Sequence, residues 1–124
     1  MAKQHAQRFL AIVEEARGHI QELSVEQVKQ KLDAREPMRL IDVREGEEYA
    51  RGHVPGAESL CKGILERDIE KLVPDPETPV VLYCGGGFRS ALAAENLQRM
   101  GYKKVWSMWG GWRGWTEAGF SIEK

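Results

Sequence analysis

Val80-Val81-Leu82-Tyr83-Cys84-Gly85-Gly86-Gly87-Phe88-Arg89-Ser90 is the stretch on which the fold turns. Four apolar residues in a row, preceded by the stiff Pro74, Pro76 and Pro79 loop, read as a short strand buried on both faces. From residue 90 to 100 the apolar residues recur at helical spacing, so a helix follows. Cys84 to Arg89 therefore lies where a core strand turns into a helix, which is where a nucleophile is held. Three consecutive glycines accept positive φ at little cost and leave no Cβ in the way of a ligand. Successive N–H groups can then aim at one spot. With the positive end of the following helix, they bind anions and favour thiolate over thiol at Cys84. An isolated cysteine at a strand end is ordinarily a packing residue. Such a residue needs no flexible loop behind it, so the glycines favour the reactive reading.

Outward from this loop, strands and helices alternate, giving an α/β domain with a largely parallel sheet. Phe9, Ile12, Val13 and Ala16 form an apolar stripe on a first helix that ends near Gly18. The chain accordingly divides into a helical extension, residues 1–18, and a main domain, residues 19–124. The extension packs on that domain or on a partner. A strand over 19–23 leads to Ser24, which caps a helix carrying Val25, Val28 and Leu32. Strands are expected over 39–43, 57–60 and 104–107, and helices over 45–51 and 64–73. Gly110-Gly111 opens a last helix.

Eighteen basic and nineteen acidic side chains leave a net charge of −1, which gives no footprint for nucleic acid. Lys103-Lys104 is too short a basic run to change this. No apolar stretch is long enough to span a membrane, and Met1 to His5 lack the apolar segment of a secretory leader, so the expected compartment is the cytoplasm. Cys61 and Cys84 have no metal-type spacing to each other or to His5, His19 or His53, and no cofactor is implied. A disulfide would consume the nucleophile, so the reduced state suits the chemistry.

Ligands of parallel α/β sheets bind beyond the carboxyl ends of the strands. The turns after Val43 and Ser107 bring Arg44, Met108, Trp109 and Gly110 toward the Cys84 loop. Asp42 and Arg44 either handle substrate charge or form an ion pair that braces the strand end. His53, in Gly-His-Val-Pro-Gly, holds its turn by hydrogen bonds. Trp106, Trp112 and Trp115 fill packing positions, and Trp109 is the candidate pocket wall. Cys61 is either a small strand-end residue or a thiol that resolves an oxidised Cys84.

The Cys84 loop resembles the active-site loop of rhodanese-like sulfurtransferases, and so do three other segments in the family's order. These are Leu40-Ile41-Asp42-Val43-Arg44-Glu45, Gly52-His53-Val54-Pro55-Gly56-Ala57, and Gly110-Gly111-Trp112 with Trp115. The resemblance implies a three-layer domain, a mostly parallel five-stranded sheet with helices on both faces. It also implies a ping-pong transfer of sulfane sulfur in which Cys84 is the catalytic nucleophile. Gly85, Gly86, Gly87, Phe88, Arg89 and Ser90, with Arg44 and Trp109, would bind substrate. The implied partners are a small sulfur donor such as thiosulfate and a thiophilic acceptor, either a small molecule or a protein thiol. The chain would be a monomer or a homodimer. A sulfur carrier without turnover, or a regulatory module, is the alternative within the family. Cysteine phosphatases and arsenate reductases are the rival outside it. Their cradles resemble Cys followed by five residues and Arg, whereas four residues separate Cys84 from Arg89. The loop lacks the basic residues, Ser or Thr that accompany donor selectivity in the family, which leaves the donor open.

Overall fold

Short apolar strands alternating with amphipathic helices need a cover on both sheet faces, and the computed structural model, which describes residues 5–124, supplies it. The leader reading of Met1 to Gln4 and that part of the extension lie outside the described residues. In chain order the elements are α1 (Gln7–Arg17), β1 (Gln21–Ser24), α2 (Val25–Asp33), β2 (Arg39–Asp42), α3 (Gly46–Arg51) and β3 (Glu58–Ser59). Then come α4 (Lys62–Leu72), β4 (Val80–Tyr83), α5 (Phe88–Arg99), β5 (Val105–Trp109) and α6 (Gly111–Glu117). The five strands form one sheet in the order β1-β5-β4-β2-β3, and every pairing is parallel.

Side-chain alternation along the strands divides the interior in two. Ile41, Val43, Val80, Leu82, Cys84 and Val105 face one side, where Leu65 and Ile69 of α4 and Ala93, Ala94 and Leu97 of α5 cover them. Leu40, Val81, Tyr83 and Met108 face the other, under Val25 and Val28 of α2 and Trp115 of α6. All four residues of β4 are buried, as the middle strand of such a sheet requires. Cys84 continues the alternation and lands on the α5 side, so its sulfur and the helix that follows it share a face.

Ser24 closes a capping box with Gln27, its hydroxyl accepting from the Gln27 amide at 3.0 Å while Gln27 Oε1 accepts from the Ser24 amide at 2.8 Å. Ser24 is also the last residue of β1, paired with Trp109, so the strand runs one residue further than its apolar pattern suggests. At the other end of the pairing, β5 runs through Met108 and Trp109, which are strand residues and not part of a turn. Helix α5 begins at Phe88, two residues before the apolar period becomes visible at Ser90.

Helix α1 packs along α5 of its own chain. Its stripe is narrower than the sequence suggests: Val13 and Ala16 are buried and Phe9 is half-buried, whereas Ile12 is 53% exposed. The physical reason is that a single facing helix covers only a narrow face, and Ile12 lies at the edge of that face. Arg17 clasps Glu22 through two hydrogen bonds of 2.9 and 3.0 Å, and His19 Nδ1 meets Glu95 at 2.6 Å, fixing the end of α1 to β1 and α5.

This packing predicts different costs for neighbouring truncations. Val13→Ala should lower the unfolding free energy by about 1–2 kcal/mol, and Ile12→Ala should stay within about 0.5 kcal/mol of the parent. Urea unfolding of both variants checks the pair, and equal effects would contradict the packing.

Candidate active site

The loop after β4 owes its shape to the next helix along the rim. An α-helix starts with amides that have no partner within it. In α6 these amides grip the loop: Trp112 donates to the Cys84 carbonyl at 2.8 Å, Arg113 to Gly85 at 2.9 Å, and Gly110 to Gly86 at 3.1 Å. In a planar trans peptide, a carbonyl held outward turns the following N–H inward. The amides of Gly85, Gly86 and Gly87 are thereby turned toward the interior of the loop. The close approach needs glycine, since a Cβ on Gly111, at φ 54°, would collide with the Cys84 carbonyl oxygen and come within 2.9 Å of Gly85 backbone atoms. Gly87 adopts φ 111°, and a Cβ there would lie 2.8 Å from the Trp109 ring.

Cys84 is 1% exposed, and its Sγ accepts hydrogen bonds from the Gly87 amide at 3.2 Å and the Ser90 amide at 3.3 Å. Both donors stabilise negative charge on sulfur, and they belong to the start of α5, whose dipole acts in the same sense. Sγ also lies 3.6 Å from Ser90 Oγ, which shares a 2.8 Å hydrogen bond with Ser107 Oγ of β5. The two buried hydroxyls satisfy each other, and their order sets how Ser90 presents itself to the sulfur.

Above the sulfur is a cavity of about 670 Å³, with Cys84, Gly85 and Gly86 among its lining residues. Phe88, Arg89 and Glu48 line it, as do Trp112 and Arg113 at the start of α6, and His5 and Phe9 reach it from the α1 side. Arg89 Nη1 donates to Glu48 Oε1 at 3.2 Å. The same carboxylate oxygen accepts from the Glu45 amide at 3.0 Å, part of the capping box that starts α3, so the anion facing Arg89 is held in place. Partial burial pushes the Glu48 carboxyl up, but the hydrogen bonds from Arg89 and from the Glu45 amide outweigh this and hold it below the usual carboxylate value.

The sequence-proposed residues fall into three groups. Gly85, Gly86, Phe88 and Arg89 line the cavity, while Gly87 and Ser90 hold the sulfur through their amides. Arg44 is not among the lining residues. It is 4% exposed and bound to Asp42 by a 2.7 Å ion pair, and it donates to the Gly52 carbonyl at 2.7 Å. Its guanidinium lies 4.8 Å from the centre of the Trp112 ring, so it braces that wall from behind. Trp109 also stands behind the loop, with Arg17 stacked at 3.5 Å over its ring and Phe88 against it at 5.5 Å. Trp112, read from sequence as a packing residue, is the tryptophan that lines the cavity. His53 donates to the Tyr49 carbonyl through Nδ1 at 3.0 Å and stacks on the Tyr49 ring at 3.7 Å. Cys61 is the N-cap residue of α4 and does not line the cavity. Sequence reasoning missed His5, Phe9, Glu48, Arg113 and Ser107. Only Ser107 carried a signal, as a lone hydroxyl within the otherwise apolar strand Val105–Trp109.

A family model described as the Rhodanese-like domain matches residues 24–118. The chain belongs to that family. The Bacillus subtilis protein named "Putative sulfur carrier protein YrkF" is 38% identical over 86 residues, which are 69% of this chain and 45% of that one. The chain thus spans about half the length of that relative. A structure of a Rhodopseudomonas palustris protein of unknown function, described as a "Possible Tyrosine Phosphatase", superposes with a TM-score of 0.85 at 33% identity over 99% of both chains. A thiosulfate sulfurtransferase from Pseudomonas aeruginosa superposes with a TM-score of 0.79 at 34% identity, covering 88% of this chain and 21% of that one. The rhodanese resemblance seen in the motifs therefore holds for the family and for the fold.

The glycine pair of this rhodanese-like rim offers a direct check. Gly110→Ala and Gly111→Ala both place a side chain at positive φ, but only the Gly111 Cβ collides with backbone, that of the loop, whereas the Gly110 Cβ finds only ordinary contacts with Val25 and Gly114. Gly111→Ala should cost about 2 kcal/mol or more and Gly110→Ala about 1 kcal/mol, read as the difference in melting temperature. Equal losses would mean that α6 does not grip the loop so closely.

Glu48→Gln tests the rim ion pair. A carboxyl whose folded pKa is depressed contributes stability that is present above the unfolded value, about 4.3, and lost as pH falls through the lower folded value. With the two side chains 37% and 33% exposed, solvent screening limits the effect. The variant should be less stable by under about 1 kcal/mol at neutral pH, and the difference should disappear in acid. Denaturant titrations at several pH values would show it, and a gap that widens in acid would contradict the assignment.

Proposed function

We propose that this chain transfers sulfane sulfur through a persulfide on Cys84. The observation that carries the reading is a buried sulfur held by two backbone amides at a cavity floor, in a loop with only four residues between Cys84 and Arg89. In the first half-reaction the Cys84 thiolate attacks the outer sulfur of a donor such as thiosulfate. The new S–S bond forms as the donor's S–S bond breaks, and sulfite leaves with the bonding electron pair. No proton needs to move, because the nucleophile is an anion and the leaving group a stable one. The inward-facing amides stabilise the terminal sulfur of the persulfide, as an oxyanion hole stabilises oxygen. Arg89, steadied by Glu48, adds positive charge for the donor's sulfonate. In the second half-reaction a thiophilic acceptor takes the outer sulfur and returns Cys84 to the thiolate.

The sulfur-carrier reading shares the first half-reaction and differs only in turnover, and the resemblance to a Bacillus subtilis protein named for such a role keeps it in view. A phosphatase reading has the description of the Rhodopseudomonas palustris neighbour in its favour. Against it stand the short ring and the state of the acids. Asp42 is buried in its pair with Arg44, and Glu48 is tied to Arg89, so neither is free to protonate an alkoxide.

Incubation with thiosulfate should add the mass of one sulfur atom to the wild-type chain, on the peptide that contains Cys84, with release of sulfite. Cys84→Ser should abolish both the adduct and the turnover, since an alcohol stays protonated in the same cradle and forms no persulfide. Cys61→Ser should keep most of the activity. Hydrolysis of para-nitrophenyl phosphate without any sulfite release would overturn the proposal. Adduct formation without acceptor turnover would select the carrier.

A further inference from the structure

We propose that the cavity over Cys84 is a subsite for an organic thiol acceptor, with an aromatic wall supplied by α1 and a counter-charge for an acidic end supplied by Arg113. This rests on the sulfur-transfer reading and names the chemical class that receives the sulfur. The volume, about 670 Å³, is of the size that encloses an organic ligand of many atoms and far exceeds what a small inorganic donor fills. Its lining also goes beyond what an inorganic anion uses. His5, Phe9, Phe88 and Trp112 all line it, and the phenyl rings of Phe9 and Phe88 offer thiosulfate no hydrogen-bond donor. His5 packs at 4.6 Å from Phe88 and 5.3 Å from Phe9, with Phe9 at 6.3 Å from Phe88, all in the tilted geometry that aromatic pairs favour.

His5 and Phe9 lie outside residues 24–118, the portion matched to the family, so this wall is added to the shared domain. It is also fixed in place. Val13 and Ala16 are buried where α1 packs on α5, and Arg17 joins Glu22 while stacking on Trp109 behind the loop. On the opposite side the two arginines differ. Arg89 is committed to Glu48. Arg113 is exposed at the rim and has no acidic partner among the described residues, which leaves it to meet a carboxylate or sulfonate on the incoming thiol. The acceptor therefore has an aromatic or broad apolar body, a thiol aimed at the floor, and an acidic end. In the transfer its thiolate attacks the outer persulfide sulfur, a new S–S bond forms, and the Cys84 S–S bond breaks with its electron pair returning to Sγ. The transferred sulfur leaves as the terminal anion of the acceptor's persulfide, and no proton or other reactant is consumed.

The test uses the full chain and two probes. After loading with thiosulfate, the rate constant for sulfur transfer to para-(mercaptomethyl)benzoate is divided by that to cyanide. This ratio should fall about tenfold in Phe9→Ala and about threefold in Phe9→Leu, which keeps the packing volume. A ratio unchanged in both variants, with the sulfur adduct present by intact mass, overturns the subsite and leaves the sulfur-transfer reading standing. In parallel, para-toluate, which carries no sulfur, is titrated calorimetrically into unloaded protein. Binding that weakens about tenfold in Phe9→Ala supports the subsite even if thiosulfate deposits no sulfur, in which case only the transfer reading falls. Absence of Phe9-dependent binding overturns the subsite by itself.

Discussion

The grip of the α6 amides on the carbonyls of Cys84, Gly85 and Gly86 is the constraint from which the site follows. One set of hydrogen bonds does two things. It satisfies helix-terminal donors that have no partner within the helix, and it orients three consecutive peptide planes so that their N–H groups turn to the inside of the loop, where that of Gly87 reaches the sulfur. The sequence cost is a glycine at 111, where a side chain would strike the loop backbone, and a run of glycines that can bend around a single atom. Strand order makes the arrangement possible. Because β4 and β5 are parallel neighbours, the loop that leaves β4 and the helix that follows β5 emerge side by side at the same edge.

A second constraint lies one strand away. The Asp42–Arg44 pair is almost fully buried, yet each charge has its partners: Asp42 also accepts from the Arg44 amide at 2.9 Å, and Arg44 reaches the Gly52 carbonyl. Buried pairs of this kind add little net stability over an apolar substitute, because desolvation consumes most of the attraction. What the pair contributes here is position. It joins the end of β2 to the turn after α3 and sets a planar cation behind Trp112, so that a wall of the cavity stands on a fixed base. Burial also raises the Tyr83 phenol, which stays neutral and accepts from the Val54 amide at 3.1 Å, tying the same turn to the central strand.

Around a shared rhodanese-like core, the chain places a helix that the family match does not include. Helix α1 covers part of α5, shields Trp109 behind the loop through Arg17, and brings two rings to the cavity mouth. The domain thereby acquires an aromatic wall on one side of the cavity over its sulfur, while the amides of Gly87 and Ser90 hold the sulfur beneath it. Glu48 belongs to the same outer layer, because its capping of α3 is what gives Arg89 a stationary partner.

The order of strands and helices, the parallel sheet, the loop between β4 and α5, and the cysteine within it were legible in the sequence, because each depends on local periodicity, turn chemistry and glycine placement. The first helix was legible too, but not the width of its contact: Ile12 fits the period and still faces solvent, since one neighbouring helix cannot cover the whole stripe. Side-chain destinations were decided only in three dimensions. Arg44 and Trp109 sit beside the right motifs, yet one turns to Asp42 and the other under Arg17, while Trp112 takes the wall. His5, Phe9 and Glu48 converge with residues some 40 to 80 positions away in the chain, and no spacing rule links them. Local sequence determined which groups the loop carries, because backbone conformation is a short-range matter. Tertiary packing alone determined what stands opposite them, because that depends on which surfaces the sheet brings together.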